Sequence, residues 1–319
     1  MRILAILLLI QFTDINCFLP NLIKNTRITS PLFHFNNIDN RNNPHTFSDD
    51  FQFEFSDIYE KIYLHSQNVS KLTNVEKTKS IMSLNYNYGH LSTVANYKKL
   101  KGYSQNSVVP FTIDHEGNPF LYLSNISKHT KNIKKNNKVS FSVTEYGFNN
   151  ADDARVSLVG KIRLVDDDQQ IDNLSKIYLK NHGNVKWLNL SDFNYYIIDD
   201  IKEILFNGGF GKSDKININQ YKDTEPDKVY LLSSDIIDSF NNKYTFLKHN
   251  MKKYLKTQVQ LQEKKDYDAI NIQNLDKYGI NLILKKNKIY FKVTIPFRNQ
   301  IIELKQIKNN IMYLFNTYK

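Results

Sequence analysis

Cysteine is all but missing: Cys17 is the only one among 319 residues, and it falls in a stretch that reads as a removable leader. Once that leader is cut no thiol remains, which excludes disulfides, thiolate metal sites and cysteine nucleophiles. Long apolar runs are missing too. The run Leu4 to Ile10 is too short for the roughly 20 residues that span a bilayer, and a mean hydropathy of -0.50 excludes a polytopic membrane protein. Glycine is scarce, with 10 residues, and its one cluster is Asn207-Gly208-Gly209-Phe210-Gly211. That cluster lacks the glycine spacing of a dinucleotide fingerprint. No pair of histidines or carboxylates has metal-ligand spacing, and no internal repeat is present. The triplet Asp166-Asp167-Asp168 reads as a charge cluster favoured by a helix N-terminus.

What is present points to packed sheets. Hydrophobic residues make up 41% of the chain and aromatics 13%, with Tyr and Phe at 20 each. The net charge is +11, but the lysines are dispersed among Asn and Ile and gather on no periodic face. They read as surface composition, with no nucleic-acid partner expected.

The N-terminus has two parts. Residues 1–17 carry Arg2 and a short apolar core, the pattern of a secretory signal peptide. Residues 18–50 hold Lys24, Arg27 and Arg41 and are rich in Asn, Ser and Thr, with Pro20, Pro31 and Pro44. A signal followed by a basic, acid-poor, unfolded segment resembles the leaders that route proteins to a secondary plastid of the apicoplast type. The alternative is plain secretion, which would open the sequons at Asn68, Asn125, Asn173 and Asn189 to glycosylation.

Behind the leader, the apolar steps Ile58, Ile62, Leu64 and Val75, Ile81, Met82, Leu84 predict helices. Strands follow at Leu91–Tyr97, Ser107–Ile113, Pro119–Leu123, Val139–Thr144, Ala154–Val165, Tyr195–Ile198 and Glu203–Phe206. Asp114-His115-Glu116-Gly117 joins the second and third as a hairpin. Gly160 stands where a long strand must bend. Ser124 or Ser127 caps a short helix that ends near Lys135, and Asp167–Lys180 is helical. Polar residues around Pro226 mark a boundary. Beyond it come a helix from Asp235 to about Gln262, a three-strand meander (Tyr267–Asn274, Ile280–Leu284, Ile289–Ile295) and a final helix striped by Ile301, Leu304, Ile307, Ile311 and Leu314. The expected architecture is α+β: residues 51–226 form a barrel domain with N-terminal helices, and 227–319 a small α-β-β-β-α domain.

Several segments, in order, resemble one family. They are Gly89-His90-Leu91-Ser92-Thr93, Gly102 to Phe111, Asp114 to Gly117, Leu123 to Ile133, Ala154 to Gly160, Asp192-Phe193, Gly209-Phe210-Gly211, Asp276 to Ile280 and Ile295-Pro296-Phe297. The set resembles the pyridoxamine-phosphate-oxidase-like, FMN-binding split barrel. It is closest to the haem-utilisation branch, which holds the HugZ-type haem-degrading proteins and the plastid glutamyl-tRNA-reductase-binding proteins. Ser104 and Asn106 stand where that family usually writes Pro and Gly. Asn242-Lys243-Tyr244 departs from the Asn/acid/His signature of the small domain.

The resemblance implies a homodimer that binds FMN or haem, with a ligand-free role as the remaining alternative. It implies either a binding or regulatory role in plastid tetrapyrrole metabolism beside a partner enzyme, or an active oxidoreductase. It also places cofactor contacts at Ser107, Val108, Ser124, Ser127, Lys128, His129, Thr130 and Arg155. From the residues themselves, a strand running into a helix start leaves free amides. The hydroxyls of Ser124, Ser127 and Thr130 and the cations Lys128, Lys131 and Arg155 would complete a pocket for a phosphate or a propionate. His129 and His90 are candidate ligands or acid-base groups, against the blander reading of structural histidines. His115 reads as a turn residue, and His182 and His249 as polar helical residues without a role. Phe210 would flank a planar ligand.

Overall fold

Strict alternation builds the barrel. In a computed structural model, β1 (Tyr88–Val94), β2 (Ser104–Ile113), β3 (Pro119–Ser124), β4 (Lys138–Thr144), β5 (Arg155–Leu164), β6 (Phe193–Asn207) and β7 (Ser213–Ile216) form one antiparallel sheet. The structure describes residues 49–84, 88–183, 191–209, 213–243 and 245–318. The signal and most of the transit-like segment therefore lie outside the described residues, as do Asn189, Phe210, Gly211 and Tyr244.

The strand order is β3-β2-β1-β4-β5-β6-β7, and β3 also pairs with β6, which closes six strands into a ring. Every second side chain points inward: Leu91 on β1, Val109 and Phe111 on β2, Val139, Phe141 and Val143 on β4, and Val156 and Leu158 on β5 are all buried in one cluster. Burying such aliphatic and aromatic side chains stabilises by roughly 1.5–3 kcal/mol each. Helix α2 (Asn74–Met82) adds Ile81 and Met82 to that cluster, and it starts with a capping box between Thr73 and Glu76. The continuous apolar run of β3 is explained by burial on both faces. Phe120 packs under α4 (Asp168–His182) with Leu174, Tyr178, Tyr195 and Ile197, while Leu121 and Leu123 face inward.

The ring is not uniform. β2 pairs with β3 only through Phe111, Thr112 and Ile113, whereas residues 104–110 pair with β1 alone. Helix α3 (Lys128–Ile133) follows β3 and packs on β1 and β2.

The two strands expected at Tyr195–Ile198 and Glu203–Phe206 are one 15-residue strand, β6. The interrupting Asp199 and Asp200 stay in the strand because they bond across to β5: Arg163 Nε donates to Asp199 at 2.7 Å and Lys161 lies 3.0 Å from Asp200. The pairing slips between Val159 and Gly160, and a Cβ at Gly160 would stand 2.8 Å from the Asp200 carbonyl oxygen. Gly160 thus sits at the bend the sequence required. Gly89 is tighter. A Cβ there would lie 2.0 Å from Phe141 Cζ, in a ring that is 1% exposed and packed edge-on to Phe111. Gly89→Ala is expected to cost about 1–3 kcal/mol by overpacking, read as a lower urea midpoint at unchanged slope.

The chain divides into two compact units, Leu72–Leu231 and a second made of the segment ending at Lys71 and that starting at Leu232. The second unit contains α1 (Asp49–Ser66), α7 (Ser233–Lys243), α8 (Thr245–Tyr254), the sheet β10-β9-β8 (Ile289–Pro296, Gly279–Lys286, Ala269–Asp276) and α9 (Gln306–Thr317). The short helices α5 (Ile218–Asp223) and α6 (Lys228–Leu231) stay with the barrel, so the division falls a few residues after Pro226. Helix α1, grouped with the barrel in the sequence reading, packs with the C-terminal sheet instead. Tyr59 meets Phe291 at 4.9 Å, and His65 Nε2 donates to the Thr294 carbonyl at 2.7 Å. The long helix expected from Asp235 to Gln262 is broken into α7, α8 and a π turn at Leu255–Val259 that stops at left-handed Gln260. Of the expected stripe, Ile307, Ile311 and Leu314 are buried on α9, while Ile301, buried, and Leu304, half-buried, both precede the helix start.

Candidate functional site

The corner between β3 and α3 is set by a turn. Ser127 N–H donates to Ser124 O at 3.2 Å, and Asn125 N–H donates to Asp192 O at 2.7 Å. Ser127 occupies the N-cap position of α3, but its hydroxyl makes no capping bond. Ser124 donates its hydroxyl to the Asp192 carboxylate and accepts the Ile126 amide at 3.3 Å. This hydroxyl is therefore committed, and the carboxylate beside it opposes an incoming phosphate. Lys128 and Lys131 are exposed, with Lys128 Nζ 5.8 Å from the centre of the Tyr97 ring.

His129 is half-buried, and its Nδ1 lies 3.2 Å from Ser107 Oγ. Burial pushes its pKa below the usual 6.5, so the ring is neutral at pH 7. Its Nε2 has no partner among the described residues. Thr130 is fully buried, and its Oγ1 likewise has none there.

The pocket expected from the sequence is only partly assembled. Ser107, Ser124, Ser127, Lys128, His129 and Thr130 converge on the α3 corner. Val108 does not: it is 61% exposed, on the outer face of the sheet, level with His90 across the β1–β2 ladder. Arg155 is also elsewhere. Asn132 docks on Thr93, which is level through Val139 with Gly160 on β5, and Arg155 stands five residues further along that strand. At about 3.3 Å per residue the offset is roughly 17 Å. The Arg155 guanidinium donates to the Ala151 and Asp153 carbonyls at 3.0 and 3.4 Å. It closes the loop ahead of β5 and adds nothing to the corner.

Asp192 and Asn132 lie in segments that carry the family resemblance, but neither they nor Tyr97 has an expected role of its own, because each acts through a segment distant in the chain. His182 departs from its expected polar setting. Its ring stacks on Tyr178 at 4.3 Å, and Nε2 donates to the Phe111 carbonyl at 2.9 Å. His90 is exposed on the outer face and His115 in its turn. Among the described residues no group of three His, Cys, Asp or Glu could hold a metal ion, and no helix is long and apolar enough to cross a membrane.

The closed six-strand antiparallel barrel agrees with one family match: the family described as CREG, beta-barrel, matches residues 70–223. Residues 70–223 resemble the CREG β-barrel family. This is the split-barrel, pyridoxamine-phosphate-oxidase-like class that the ordered motifs resembled. Over 272 residues, a span that takes in the barrel, the chain is 23% identical to a heme oxygenase of Arabidopsis thaliana, HOZ, described as chloroplastic. The match spans 83% of this chain and 79% of that protein. The solved structure of a heme binding protein from Mycobacterium smegmatis shares the fold with a TM-score of 0.53 at 19% identity. It covers 78% of this chain and 99% of that one.

The neutral histidines of the barrel make its stability sensitive to acid. Burial holds both His129 and His182 below the ordinary 6.5. The unfolded chain therefore takes up protons first, so this contribution is complete above about 6.5 and is lost as pH falls through the folded values. The melting temperature is expected to be level between pH 7 and 8 and to drop below pH 6.5. The drop should be shallower in the His129→Gln/His182→Gln protein.

Proposed function

We propose that the protein binds haem at the α3 corner of its split barrel and serves tetrapyrrole metabolism in a plastid. The observation that carries the reading is the likeness to a chloroplast heme oxygenase, which runs well beyond the barrel into the C-terminal unit. The corner fits the group in kind. His129 offers a neutral imidazole whose Nε2 would hold the iron, Ser107 orients the ring through Nδ1, and Lys128 and Lys131 would meet the propionates. When bound, haem supplies an iron centre able to activate dioxygen.

FMN is the less favoured ligand, because a phosphate there would meet Asp192 while Ser124 and Arg155 are already engaged. Homodimerisation through the outer sheet face is part of the proposal. Tyr88 and Val108 are 60% and 61% exposed on neighbouring strands, and Val159 and Leu205 extend the same face. Import through a secretory signal and transit segment would deliver the protein, with an enzyme of tetrapyrrole synthesis as its partner.

A second reading, oxidative degradation of haem, is favoured by the name that the Arabidopsis relative carries. One experiment separates the two. The leaderless protein is titrated with haemin and then given ascorbate in air. A stable Soret band supports binding alone, and loss of the band with a biliverdin product supports degradation. No Soret band on titration would overturn both.

A further inference from the structure

Asn132 lies in the last turn of α3 and is 2% exposed. Its Nδ2 donates to Thr93 Oγ1 on β1 at 3.1 Å and to Gln105 Oε1 on β2 at 3.0 Å. Its Oδ1 accepts the backbone amide of Asn96 at 3.3 Å. One side chain thus ties α3 to two strands and to the loop after β1, on the side of β2 where residues 104–110 have no β3 partner. Burying an amide between a helix and two strands is costly unless its bonds are made, and a leucine would pack there more simply. A helix of six residues is too short to hold its own place, so what anchors it decides where its side chains sit. Three residues earlier, on the same helix, stands His129.

We propose that Asn132 is a positioning residue for His129: by fixing α3 against β1 and β2 it holds the imidazole on Ser107 Oγ and leaves Nε2 to a ligand. This rests on the reading that His129 receives the haem, and the test keeps the two apart.

The full chain bearing Asn132→Ala is compared with wild type in two ways. Without haemin, carbethoxylation of His129 by diethyl pyrocarbonate is timed by mass spectrometry, with His182 as internal reference. His129 should react about tenfold faster, the factor that corresponds to 1.4 kcal/mol of lost docking, while His182 is unchanged. With haemin, the visible spectrum should take the form given by His129→Ala. Gln105→Leu, which removes one acceptor only, should shift both readouts the same way by less, and it decides the matter if Asn132→Ala does not fold. A wild-type His129 rate in the folded variants overturns the positioning role even where the haem spectrum forms. If instead the rate responds but wild type yields no haem spectrum, the positioning role stands and the haem reading falls.

Discussion

Replacing Glu145 with glutamine is expected to remove about 3–5 kcal/mol from the barrel, the usual cost of breaking one half of a buried ion pair. Glu145 is 3% exposed at the end of β4. Its Oε1 accepts the Ala154 amide at 2.6 Å, and its Oε2 lies 3.0 Å from Lys77 Nζ and accepts the Tyr230 hydroxyl at 3.3 Å. Lys77 also stands 4.3 Å above the Tyr230 ring. A glutamine keeps the volume and an acceptor for Ala154, but it turns an NH2 toward an ammonium and leaves that charge unneutralised in a site it cannot easily leave. At roughly 2–4 °C per kcal/mol for a unit of this size, the melting temperature should fall by about 10 °C. Lys77→Met combined with Glu145→Gln should recover part of the loss, since the stranded charge is then gone. A single-variant loss below about 1 kcal/mol would mean the pair is screened like a surface bridge.

The second large effect concerns the ligand. His129→Ala should weaken haemin binding by about 100-fold and move the Soret maximum, a loss of about 2.7 kcal/mol in binding free energy. Lys128→Glu/Lys131→Glu should weaken binding less and make it less dependent on salt, because exposed charges are screened. His90→Ala is the control. It removes an exposed imidazole on the outer sheet face and should leave the titration unchanged. If His90→Ala abolishes binding and His129→Ala does not, the ligand belongs on that outer face and the corner proposal is wrong.

The barrel was legible in the sequence wherever one rule dominated. Apolar runs marked β2, β4 and β5 and placed β1 three residues late, at Leu91–Tyr97 against the observed Tyr88–Val94, and Asp114 to Gly117 marked the hairpin, where the Asp114 carboxylate accepts the Glu116 and Asn118 amides at 3.0 and 2.8 Å. Reading failed where a distant segment overrode the local signal. Asp199 and Asp200 look like a strand break until Arg163 and Lys161 come alongside them. Arg155 looks like a neighbour of Lys128 until the registers through β1 and β4 put it at the other end of β5. Helix α1 looks like the lead-in to the barrel, although its aromatic partner, Phe291, follows more than 200 residues later. In the site, His129 and the lysines of α3 could be picked out as chemistry-bearing residues. Ser124's engagement by Asp192, and Asn132's three bonds, arise only from folding.

Because α1 and the segment from Leu232 share one unit, the barrel is an interlude between two halves of its companion. During synthesis the barrel residues leave the ribosome complete and can condense at once, while α1 waits for β10 to be translated before it meets Phe291. Any chain cut short after the barrel would therefore carry an orphaned helix with bare aromatic residues at its front. A nascent-chain or truncation series should show native-like protease resistance arising in the barrel first, and in residues 49–71 only once the last strand has emerged.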